Sequence, residues 1–69
     1  MRLYDFMRNY VSVTADAVVV ELFTNKLLCE HKAEHDVKDD LPEELYDRTV
    51  SVVRVDNVEY PNKLIIVVY

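Results

Sequence analysis

The 69-residue sequence predicts one small α+β domain: a mainly antiparallel four-stranded sheet built from two hairpins, with a short N-terminal helix and a short connecting helix. Three observations predict it. The first ten residues carry apolar side chains at a helical period. Four later runs are β-branched and apolar without that period, and β-branched residues favour strands. These runs fall into two pairs separated by an acidic connector that holds a helix-start signal. A chain of this length holds one domain, over residues 1–69.

Leu3, Phe6, Met7 and Tyr10 fall at i, i+3, i+4 and i+7, one face of a helix, with Arg2, Asp5, Arg8 and Asn9 opposite. That stripe reads as core packing. Ala17 to Phe23 (AVVVELF) reads as the first strand, and Leu27 to Ala33 (LLCEHKA) as its return. The chain contains no glycine, so an asparagine must supply the positive φ of the turn between them, which points to Asn25. Glu34 to Lys38 is polar and reads as loop. Asp40-Leu41-Pro42-Glu43 then opens a short helix to about Asp47, with Asp40 as its cap and Pro42 in its first turn. Val50 to Val55 is the third strand. Its alternation slips at Val52-Val53, which predicts a bulge or burial on both faces. Lys63 to Tyr69, apolar on both faces, closes the chain as a central strand.

Composition excludes several functions. Without glycine, neither a P-loop nor a dinucleotide fingerprint can form, and no cofactor is expected. No apolar run approaches the roughly 20 residues of a membrane span. The charged opening Met1-Arg2-Leu3-Tyr4-Asp5 has no signal-like apolar core behind it, and one cysteine cannot form an internal disulfide. These features lead us to expect a cytoplasmic protein. The net charge of −5 is concentrated: Glu30 to Asp47 holds eight acids and two bases, whereas the remainder nets +1. With no basic cluster to displace counterions, direct nucleic-acid binding is not expected.

The one metal-like grouping is Cys29, His31 and His35. Cys and His are preferred zinc ligands, but this spacing matches zinc patterns loosely. The competing reading is a half-buried cysteine beside two exposed histidines. Cys29 and His31 also share a strand face, as a thiol and its base would, yet nothing in the sequence supplies an oxyanion hole. No catalytic residue is assigned, and the protein is expected not to be an enzyme.

The acidic connector carries the sharper expectation. Asp39, Asp40, Glu43, Glu44 and Asp47, with Tyr46 as an aromatic anchor, form a candidate surface for an unknown protein partner that presents a basic face, as an inhibitor or decoy would. The alternative is a structural subunit that self-associates into a homodimer through a sheet edge, suggested by the apolar Leu64 to Tyr69 run. The opening Met1-Arg2-Leu3-Tyr4-Asp5-Phe6, the segment Leu41-Pro42-Glu43-Glu44-Leu45-Tyr46-Asp47-Arg48 and the closing Lys63-Leu64-Ile65-Ile66-Val67-Val68 resemble a class of short phage- and prophage-encoded proteins of Gram-positive bacteria. The resemblance runs over most of the chain, departs from the class in lacking a glycine near Asn25, and implies a mobile-element origin and an α+β fold. It transfers no activity and no functional residues.

Overall fold

The computed structural model describes residues 1–11 and 15–69. In chain order these form α1 (Leu3–Tyr10), β1 (Ala17–Glu21), β2 (Leu27–His31), α2 (Val37–Asp40), a 3-10 turn (Glu43–Leu45), β3 (Val50–Val55) and β4 (Leu64–Val68). The sheet order is β2-β1-β4-β3. Both hairpins are antiparallel, and they join through a parallel β1–β4 pair at the centre. The small, mostly antiparallel α+β fold is thus the one the sequence predicts.

The central position of β1 and β4 explains their unbroken apolar runs, because each is covered on both faces. On one face Ala17, Val19, Ile66 and Val68 pack with Leu3, Met7 and Val11 of the N-terminal segment and with Val37, Leu41 and Leu45 of the connector. On the other face Val18, Val20, Ile65 and Val67 form a smaller cluster with Leu22 and Tyr60. The helical stripe is shifted from the predicted one. Leu3, Met7 and Val11 are buried at i, i+4 and i+8, whereas Tyr10 is 61% exposed and packs its ring against Phe6. Val11 follows directly after α1, where its N–H still bonds to Met7 O, so the apolar face runs one residue past the helix.

Positive φ appears at Asn25 (57°), Glu34 (73°) and Asn62 (62°). Asparagine tolerates this region, and the Asn25 turn is the one predicted. Phe23, the last residue of the predicted first strand, stands instead in that turn, 87% exposed. The bulge in β3 lies between Val50 and Val52, one position before the predicted slip. Among the described residues, no helix is long and apolar enough to cross a membrane.

The connector differs most from its prediction. The expected loop Glu34–Lys38 already contains the start of α2, and the expected helix Leu41–Asp47 is only the 3-10 turn. Asp36, not Asp40, caps α2 by accepting from Lys38 N–H at 3.0 Å. Leu41 then adopts an extended conformation ahead of Pro42, as a residue preceding proline prefers, and this ends α2 after one turn.

Candidate functional site

The acidic connector is fastened to the domain at several points. Val37, Leu41 and Leu45 are buried as its apolar pegs. Tyr46 stacks on Tyr4, with ring centroids 4.4 Å apart and planes inclined by 26°. The first turn of α1 has no side-chain cap, and connector carbonyls take its orphan donors instead. Leu3 N–H donates to Arg48 O at 2.7 Å and Tyr4 N–H to Tyr46 O at 3.2 Å. Arg2 lies 2.9 Å from Asp47 and 3.9 Å from Asp5. Arg48 reaches Glu21 at 3.3 Å and donates to the Tyr69 carbonyl, tying the end of the connector to the sheet.

At its other end the connector is held by Asp40. Lys32 N–H donates to Asp40 Oδ2 at 3.0 Å. His35 Nδ1 lies 3.2 Å from both carboxylate oxygens. His31 Nδ1 lies 2.8 Å from Oδ2. The adjoining turn is fixed from the opposite side, where Asp16 accepts from Ala33 N–H at 2.8 Å. Burial disfavours the ionised Asp40, but the Lys32 N–H, the His35 hydrogen bond and the two histidines outweigh it and hold its carboxyl below the ordinary value.

This geometry corrects two expectations. His31 is not an exposed histidine: its side chain is fully buried, whereas that of His35 is about half exposed. The signal was present in the strand period. His31 stands opposite Ala17, two positions after Cys29 opposite Val19, so it belongs to the face that the helices cover. Asp40 is likewise no outward recognition residue, because it points inward to close the β2–α2 turn. The histidines nine and five positions before it could not signal this without the strand register.

The candidate metal set separates in role. His31 and His35 meet on Asp40, and among the described residues no group of three or more His, Cys, Asp or Glu side chains is arranged to hold a metal ion. Cys29 is half-buried. Burial, followed by the negative charges of Asp40 and Glu30, pushes its thiol up to about 11, so it is protonated at neutral pH, the reverse of an activated nucleophile.

Of the six predicted partner-binding residues, Asp39, Glu43, Glu44 and Asp47 are exposed, Asp47 beside Arg2. Tyr46 is partly buried against Tyr4 and Asp40 is turned inward. Next to α2 lies an open depression of about 330 Å³ lined by Tyr4, Arg8, Asp36, Val37 and Lys38, which adds charges of both signs to the rim of this surface. The chain matches no family model, and no curated protein or solved structure is significantly similar to it.

Proposed function

We propose that the protein is a non-enzymatic interaction module that presents a fixed row of carboxylates to a basic protein surface, as an inhibitor or decoy would. The observation that supports this reading is the division of labour within the acidic stretch. Asp40 and Tyr46 fasten the connector, while Asp39, Glu43 and Glu44 face solvent with no ion pair to a described residue. A carboxylate held in place by a packed scaffold loses less conformational entropy on binding than one on a loose loop. The opposite potential of a basic partner would speed encounter and select against acidic surfaces. The mobile-element origin implied by the resemblance belongs to the same proposal.

The test is capture from host lysate with native protein and with an Asp39→Asn, Glu43→Gln, Glu44→Gln variant. Asp40 is left intact because it is structural. The expected result is a partner retained by native protein at low salt, released as salt rises, and captured at least about tenfold less by the folded variant. Equal capture by both would remove the acidic surface from the account.

A further inference from the structure

Among the described residues, the outer edge of β3 is open beyond Val50. β3 ends the sheet, and no strand of the described residues lies beyond it. Tyr69 N–H donates to Thr49 O on the β4 side, and Val50 N–H donates outward to Met1 O at 2.9 Å. Val50, Val53 and Val55 stand opposite Val68, Ile66 and Leu64, alternate positions of β4, with the bulge absorbing the extra residue. The alternation of an antiparallel ladder therefore turns the backbone groups of Val53 and Val55 outward as well. Val53 and Val55 are 36% and 60% exposed, and Val52 is 47% exposed. Apart from the bulge and Arg54, β3 carries none of the lysines or prolines that protect open edges.

We propose that two copies of this chain pair antiparallel through β3, with Val53 of each opposite Val55 of the other. This register closes two reciprocal hydrogen-bonded pairs and sets two Val–Val contacts on the helix-covered face. On the other face the two Arg54 side chains meet at the two-fold axis. Arg54 lies 3.8 Å from Asp56 of its own chain, and in this register the Asp56 of the second copy is its diagonal neighbour. Two arginines and two aspartates then alternate without net charge. Directly opposed arginines repel, and the two flanking Asp56 carboxylates offset that repulsion, so a second copy meets this edge with no charge left unmatched. None of the eight acids of the Glu30–Asp47 stretch lies in β3, so the interaction is independent of the proposed acidic surface. A few residues per copy make a small interface, and the dimer is weak and reversible.

Sedimentation equilibrium tests the pairing. Native protein is expected to rise from 8.1 kDa toward twice that mass as its concentration approaches the millimolar range. The rise should strengthen with salt, which screens the −5 charge on each copy. Val53→Lys and Val55→Glu, each checked for folding by circular dichroism, should each weaken association at least about tenfold by placing a charge against an apolar neighbour. Mixing the two variants should restore it, because the ammonium introduced in one copy then faces the carboxylate introduced in the other. A native protein that stays at monomer mass overturns the proposal. So do variants that associate like native protein, or a mixture no better than either variant alone. The Asp39→Asn, Glu43→Gln, Glu44→Gln variant should dimerise at least as well as native, which keeps this result distinct from the fate of the acidic surface.

Discussion

Ile66→Ala is expected to remove most of the folding free energy. Ile66 is fully buried on β4, between Val19 on one side and Val53 on the other, and packs into the larger apolar cluster. Truncating a buried isoleucine costs about 3–4 kcal/mol, from lost transfer energy and the cavity left behind. A single core of this size supplies only about 3–5 kcal/mol of net stability. The variant should therefore unfold at low urea or be largely unfolded in water, as read by circular dichroism. Val58→Ala is the matched control: Val58 is 94% exposed on the β3–β4 loop, and its loss should leave the midpoint unchanged.

Asp40→Asn is expected to cost about 2 kcal/mol at neutral pH, or roughly 10 °C in melting temperature. The substitution keeps an acceptor for Lys32 N–H but removes the charge that faces buried His31 and half-exposed His35. It should also change the acid limb of the stability curve. Because the folded Asp40 carboxyl lies below its ordinary value, its contribution is present above that ordinary value and is lost as pH falls through the folded one. Native protein should lose this increment on acidification, whereas Asp40→Asn, having none to lose, should show a flatter acid limb. Parallel limbs in urea titrations of the two proteins would show that Asp40 makes no such contribution.

The strands were legible because side-chain type and period report them directly. Val50–Val55 coincides with its prediction, and the double-sided apolar run at Leu64–Val68 correctly placed β4 in the interior. That placement also moved the candidate edge for self-association from the closing run to β3, since a central strand has no free edge. The connector was less legible, because its conformation depends on distant groups. Asp40 reads locally as a helix cap, and only the packing of β2 against α2 brings His31 and His35 to it. Likewise Tyr46 and Asp47 read as free surface until the N-terminal segment supplies Tyr4 and Arg2 as their partners. Asp39, Glu43 and Glu44 are exposed on the connector. What the sequence lacked was the distinction between the acids that hold the connector and those that it displays.

Native-state hydrogen exchange tests most directly the claim that the acidic connector is a fixed platform. The amides to follow are Leu41, Leu45, Tyr46 and Arg48, which donate to Val37, Pro42, Glu43 and Leu45 carbonyls at 2.9 to 3.1 Å. In native protein they should exchange roughly a hundredfold more slowly than in a free peptide. In Asp40→Asn they should lose protection ahead of the Val19 and Ile66 amides at the centre of the sheet. Connector amides that exchange at free-peptide rates in native protein, or that keep their native protection in Asp40→Asn, would contradict the account.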